Sequence, residues 1–351
     1  MNYNYFSGII HLHTIYSKDS DLTPLKILNY AKRFNVDFVI ITDHNTIEAK
    51  KYEGYYGNTL LLVGEEISPP NGNHLLAIGI DEHIEHSLNP QENIDKIKNF
   101  NGLSFIEHPF FNGNRYIKKE TKMMWQDWNV KNFTGMSIFN YTCDGGERMK
   151  PSTYLIFYFF PGLDKDIPNY KTIKKWDELT QKRRIVGIGT LDAHFLYVKI
   201  FNKIKLQTFP FIYYFNSIRT IIITDDKKIN KESINNSLKN GHAYINHEYL
   251  GDGRGFIFGV EKGNEFFLMG DKVKFDGNEN IFVKTPKNCL IRIIKNGQKL
   301  FENEGNEIYI KNVENGIYRV ETEIYHRFNY KPWIFSNPIY ILREKEYEEF
   351  L

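Results

Sequence analysis

Residues 8–14 read Gly8-Ile9-Ile10-His11-Leu12-His13-Thr14, a short β-branched run that ends in two histidines. Such a run is too short for a helix and reads as a strand. Side chains two apart at a strand end point to the same face, so His11 and His13 have the geometry of a bidentate metal clamp. Ser17, Lys18 and Asp19 follow close behind.

The pattern recurs along the first two thirds of the chain. Apolar runs at Phe38–Ile41, Leu60–Val63, Leu103–Ile106, Met136–Phe139, Ile185–Ile188 and Arg219–Ile223 also read as strands. Leu75–Ile80 lies too close behind its predecessor for an intervening helix and reads as a hairpin or side strand. Amphipathic segments separate the runs. Asp21–Phe34 opens on Asp-Leu-Thr-Pro, and Asn89–Phe100 opens on Asn-Pro. Lys171–Arg184 puts Ile173, Trp176 and Leu179 on one face, and Lys231–Lys239 is stopped by Gly241. Alternating β and α elements predict parallel strands, and seven such runs, Gly8–Ile10 included, predict an α/β, TIM-like barrel. The stretch at about 110–177 is too long for a simple connection and predicts an insertion beside the barrel mouth.

Beyond Gly251 the helical periodicity stops. Phe256–Val260, Glu265–Met269, Asn280–Lys284, Leu290–Ile294, Glu307–Ile310, Tyr318–Ile324 and Ser336–Leu342 read as strands. Turns fall at Asp276-Gly277, Asn296-Gly297 and Asn315-Gly316. The reading is two domains, a barrel over 1–250 and a small all-β sandwich over 251–351. A length of 351 residues fits that division.

Composition excludes several classes. With 41% hydrophobic and 25% charged residues the chain is globular, not disordered. Its 45 basic and 43 acidic side chains leave a net charge of +2, without the basic excess that long nucleic acid requires. Two cysteines, Cys143 and Cys289, exclude a disulfide scaffold and fit a reducing, cytoplasmic setting. The N-terminus lacks the features of a signal peptide, and the most apolar stretch is too short to span a membrane.

The other strand ends repeat the chemistry of the first. They carry Thr42-Asp43-His44; Gly64-Glu65-Glu66, followed by His74; Glu107-His108-Pro109; and Leu191-Asp192-Ala193-His194. Each group follows an apolar run, where a barrel builds its active site. The donors outnumber one four-ligand site, so two or three divalent metals are implied, with bridging carboxylates. Imidazole and carboxylate without thiolate suit Zn, Mn or Fe. Closely spaced ions generate a hydroxide nucleophile and clamp the oxygens of a displacement, so the constellation implies hydrolysis. Asp43 is expected to orient an imidazole from outside the metal shell.

In order and spacing these motifs, over about residues 8–225, resemble the PHP (polymerase and histidinol phosphatase) superfamily. The resemblance implies a distorted (β/α)7 barrel. It also implies that His11, His13, Glu66 and Asp192 hold one metal and that Glu66 bridges to a second completed by His74 and His108. Asp19, His44 and His194 would hold a third. Asp19 is preferred over Asp21, and Glu66 over Glu65 because the pattern is Gly-x-Glu. Asp192 and His194 are the expected catalytic residues, acting through a metal-bridging hydroxide. Arg148, Arg115 and Asn140, on loops after strands, are candidates for binding an anionic small-molecule substrate, either phosphorylated or a cyclic phosphate. Gly316–Glu321 and Trp333–Ile341 resemble the terminal module of stand-alone CehA/McbA-like metallohydrolases. That keeps carbamate-ester, carboxyl-ester or amide hydrolysis open, and glycan or partner binding by the sandwich is a reading of another class.

Overall fold

The computed structural model describes residues 3–113, 123–148, 150, 152, 159, 167–195, 197–200, 204–207 and 210–350. The first part of the chain contributes β1 (Asn4–Ile10), α1 (Pro24–Arg33), β2 (Phe38–His44), β3 (Gly54–Tyr56), β4 (Thr59–Ile67), β5 (Leu75–Ile78), α2 (Pro90–Asn99) and β6 (Leu103–Ile106). Next come β7 (Gly135–Asn140), α3 (Tyr141–Arg148), α4 (Tyr170–Thr180), β8 (Val186–Thr190), β9 (Tyr197–Ile200), β10 (Ile204–Gln207), α5 (Phe211–Phe215), β11 (Ile218–Thr224), α6 (Lys231–Asn240) and β12 (Ala243–His247). Thr23, Asn89 and Asn169 cap α1, α2 and α4 by accepting a backbone N–H, and Gly241 ends α6 in the left-handed conformation.

Strands β1, β2 and β4 run parallel, as do β6, β7 and β8. Between the two sets β5 is antiparallel to both β4 and β6. The chain leaving β8 returns to the end of β1, where Leu191 N donates to Ile10 O at 3.0 Å and His13 N donates to Ala193 O at 3.1 Å. Seven strands therefore follow one another around to their starting point. They are not the seven predicted. Leu75–Ile80 contributes one, whereas Arg219–Ile223 becomes β11, antiparallel to β1 and β12. The physical reason is the connection. A parallel strand needs a long crossover element to carry the chain back, and the only described helix between β8 and β11 is the five-residue α5. Of the segment expected as an insertion, residues 114–122 and most of 149–166 lie outside the described residues. Its described part includes β7 and α3.

The later part is almost entirely β: β13 (Ile257–Lys262), β14 (Glu265–Leu268), β15 (Lys272–Lys274), β16 (Asn280–Lys295), β17 (Gln298–Ile310), β18 (Gly316–His326), β19 (Asn329–Ser336), β20 (Ile339–Leu342) and the short α7 (Glu344–Glu349). Two predicted strands fuse into β16, with a register shift between Lys284 and Cys289. Ser336–Leu342 instead divides at Asn337-Pro338, because proline supplies no ladder donor. The Asn296-Gly297 turn joins β16 to β17 with both residues at positive φ, as a two-residue hairpin requires.

The sheet is continuous across residue 250, because β12 pairs with β19. One apolar core lies among the strand ring and its helices. A second, built mainly from residues 250–341, also takes in Ile221, Ile223 and Tyr244 from β11 and β12. Trp333 is fully buried there and donates its indole N–H to Gly251 O. Among the described residues no helix is long and apolar enough to cross a membrane.

Candidate metal centre

The ring gathers all nine predicted donors at one rim. Parallel strands deliver His11, His44, Glu66, His108 and Asp192 at or beyond their carboxyl ends, and antiparallel β5 delivers His74 just before its start. His11 (φ 73°), His108 (φ 29°) and Asp192 (φ 52°) all adopt left-handed backbone conformations. Strain of this kind costs about 1–3 kcal/mol per residue and tends to cluster at functional sites.

Ligand atoms approach closely enough to share ions in four overlapping sets. These are His13/Asp19/His44/His194, His11/His13/Asp192, Glu66/His74/His108 and His108/Cys143/Asp192. Glu66 stands at the middle. Its Oε2 lies 3.4 Å from His11 Nε2 and 3.5 Å from His13 Nε2, while Oε1 lies 2.8 Å from His74 Nδ1 and 3.4 Å from His108 Nε2. The two oxygens face two different histidine groups, and Oε2 also meets His44 Nδ1 at 2.8 Å. Asp19 Oδ2 lies 2.9 Å from His44 Nε2 and 3.2 Å from His194 Nε2.

The fit to cations follows from the hydrogen bonds behind the imidazoles. Asp43 accepts from Thr14 N, Thr14 Oγ1 and Ser17 Oγ. With its own proton donated to Asp43, Ser17 Oγ can only accept from His13 Nδ1, 3.3 Å away. That leaves the lone pair of His13 on Nε2. His11 Nδ1 makes no hydrogen bond but faces the Glu107 carboxylate at 3.5 Å, which favours the proton on Nδ1 and the lone pair on Nε2, toward the cluster. The two Nε2 atoms are 3.0 Å apart, each with Glu66 and Asp192 oxygens around it. Such a convergence of electron-rich atoms requires positive charge.

Without a metal, protons supply that charge. Burial would push His11 down, yet Asp192, Glu107 and Glu66 outweigh it and raise its pKa well above the usual value. Burial together with His194 pulls His13 down to about 3. His44, beside Glu66 and Asp19, is raised against its burial to about 11. Burial disfavours the charged forms of Glu66 and Asp192 too, but the surrounding imidazoles hold both carboxyls well below the ordinary range. Buried Asp19 Oδ1 has no hydrogen-bond donor among the described residues, and Glu66 Oε2 has only imidazole nitrogens around it, the nearest being His44 Nδ1 at 2.8 Å. Divalent ions would replace these protons and satisfy both oxygens.

The remaining candidates separate by placement. Glu65, one residue from Glu66, faces the other way and accepts from His83 Nδ1 and Ile84 N. Asp21 is exposed, outside the donor sets that include Asp19. Asp43 does not meet the cluster directly and reaches His13 through Ser17. Arg148 gives Nη1 to Ile167 O at 2.8 Å. Arg115 lies outside the described residues. Asn140 is buried, donating to Glu107 Oε1 and accepting from Cys143 N, so its amide braces the cluster from behind.

Sequence reasoning missed three groups. Cys143, three residues past β7, directs Sγ to Asp192 Oδ2 at 3.1 Å. Ser17 and Glu107 stood in the quoted motifs without an assigned role. Glu107 is fully buried and held by Asn140 Nδ2 and Thr190 Oγ1, both at 2.7 Å. Carboxylates behind ligating histidines fix ring orientation, and their loss lowers metal affinity about 10–100-fold. Glu107→Gln should show that loss in a chelator-competition titration while keeping its far-UV circular dichroism. Unchanged affinity would reduce Glu107 to a packing role.

No family model matches this sequence. The chain is 36% identical over 115 residues to an uncharacterized protein of Methanocaldococcus jannaschii. That match covers 29% of this chain and 66% of the relative's length. Among solved structures, the chain is similar to a two-domain protein of Bacteroides vulgatus containing a predicted PHP-like metal-dependent phosphoesterase. The TM-score is 0.45 at 13% identity, covering 96% of this chain and 95% of that one.

Proposed function

We propose that this chain is a multinuclear metal-dependent hydrolase of PHP type, a phosphoesterase acting on a small phosphorylated or cyclic-phosphate substrate. The placement of Glu66, with one oxygen toward His11 and His13 and the other toward His74 and His108, is the observation that carries the reading. Apart from the Cys143 thiol beside Asp192, the donors are imidazole and carboxylate, a set that suits Zn, Mn or Fe, and their number fits two or three ions. When bound, such ions acidify water and neutralise charge developing on the oxygens of a displacement.

The residues themselves do the positioning. His11 and His13 are fully buried and Glu66 nearly so, which closes the inner side of the cluster to bulk water. The side chains of His44, His194 and Asp19 remain 26%, 24% and 37% exposed, so substrate approaches from their side. Asp43 and Ser17 hold His13 in one tautomer, and Glu107 braces His11. The strand ring is read as the distorted PHP barrel. Residues 251–351 are read as an appended β-sandwich of the stand-alone metallohydrolase type.

Purified protein should carry two or three transition-metal ions per chain by plasma mass spectrometry. Exhaustive chelation should remove hydrolysis of p-nitrophenyl phosphate, and added Zn or Mn should restore it. A folded, metal-free chain that hydrolyses the ester at full rate would falsify the proposal.

The engagement of Arg148 with the Ile167 carbonyl favours a second reading, hydrolysis of a carbamate, carboxyl ester or amide, which needs no guanidinium for phosphate. Rates on p-nitrophenyl acetate and p-nitrophenyl phosphate, compared at equal metal loading, separate the two.

A further inference from the structure

A cleft of about 890 Å³ opens where the strands begin, at the far end of the ring from the metal cluster. Its walls include the start of β6, Thr134 just before β7, the residues before β8 and one face of α6. The acids on its wall are Asp81 and Glu232, and Asp81 is already bridged to Lys50 and Lys231. Lys98, Arg183, Arg184 and Lys239 also line the cleft, and among the described residues none of the four has a carboxylate within ion-pair distance.

Two of these cations have a local explanation. Lys98 and Lys239 sit in the last turns of α2 and α6, where the helix dipole favours positive charge. Arg183 and Arg184 have none. Arg183 lies over the Phe133 ring at 4.3 Å, and its Nη1 donates only to the carbonyls of Phe133 and Arg184. Arg184 Nη1 reaches the amide oxygen of Asn240. Burial pulls the Arg183 guanidinium down to about 10, opposed only by the Tyr340 phenol and by no carboxylate. By contrast Arg219, Arg254, Arg292 and Arg319, also shielded from solvent, each hold a carboxylate. A half-buried guanidinium without a counter-charge is costly unless something else supplies the charge. In a chain of net charge +2, five basic against two acidic side chains in one cleft are a local concentration and not a general surplus.

We propose that this cleft is a binding site for a small multiply charged anion, of the diphosphate class, separate from the metal centre. Phosphate oxygens match the planar donors of arginine and the point charges of lysine. The spread of the four cations over one cleft favours a ligand with more than one anionic group. Strands β6, β7 and β8 run from the cleft to Glu107 and His108, Asn140 and Asp192, so the two sites stand at opposite ends of the same strands.

The test is isothermal titration with inorganic pyrophosphate, run on the metal-loaded chain and again after chelation. One binding event should persist without metal. It should weaken about tenfold or more in Lys98→Gln/Arg184→Gln. Lys98→Gln alone alters only an exposed helical side chain, so its fold is safe, and it should weaken the event severalfold. Circular dichroism must match between variants. Binding that vanishes with the metal, or that is equally tight in the folded variants, overturns the proposal, as does the absence of binding at millimolar pyrophosphate.

Discussion

Glu66→Gln should leave a folded chain that loses at least one metal ion and hydrolyses an activated phosphate ester on the order of 1000-fold more slowly. The size follows from the several kcal/mol that ions contribute by stabilising charge in the transition state, at about 1.4 kcal/mol per tenfold in rate. Glutamine keeps the volume of the fully buried side chain, so packing around β4 is conserved. What changes is the charge between His11 and His13 on one side and His74 and His108 on the other. An amide cannot serve two cations with two anionic oxygens, and its N–H₂ group would point a donor at one histidine group. Metal content by mass spectrometry and the shift in melting temperature on adding zinc are the direct readouts, since an ion bound only by the native state raises it. Wild-type metal content together with wild-type rate would remove Glu66 from the centre of the mechanism.

Trp176→Ala should destabilise the protein by about 3–5 kcal/mol, the range for truncating a buried aromatic side chain. Trp176 on α4 is fully buried and donates its indole N–H to Ile185 O at 2.8 Å. Its ring fits against the bare backbone of Gly187, where an added Cβ would lie 2.8 Å from Trp176 Cζ2. The Arg319 guanidinium, held by Asp177 at 2.7 and 2.8 Å, lies over the same ring, 5.4 Å from its centroid. One side chain thus ties α4, β8 and β18 together. Its removal leaves a cavity and an unpaired carbonyl immediately before the strand that carries Asp192. A lower midpoint in urea with an unchanged slope is expected, along with weaker metal retention. A midpoint shift below about 1 kcal/mol would mean that the site can collapse around the gap.

Much of the candidate centre was legible because its residues obey a local rule. Each donor group follows an apolar run, and strand ends collect at one rim whatever the details of closure. Alternation on β4 also explains why Glu66 faces the cluster and Glu65 faces His83. The antiparallel direction of β5 followed from its short connection, whereas its place within the ring and the place of β11 outside it were harder. Both depend on which strands pair around the ring, and the length of the stretch before β11 did not show what kind of connection it forms. Asn140 is the clearest lesson in orientation. Its position after a strand marked it as a substrate residue, whereas its side chain turns inward to Glu107.

By itself the sequence located the strand runs that end in candidate donors, and showed those donors to be nitrogen and oxygen atoms suited to borderline metals. Periodicity and residue chemistry are local properties, readable without coordinates. Only the tertiary structure decided how the donors group around Glu66, how Ser17 and Glu107 orient the histidines, and that His11, His108 and Asp192 take left-handed backbones. It also brought the Cys143 thiol beside Asp192 and left Arg183 and Arg184 without counter-charges at the opposite end of the strands. These facts are distances between residues far apart in the chain, set by strand pairing and core packing, so no local pattern encodes them.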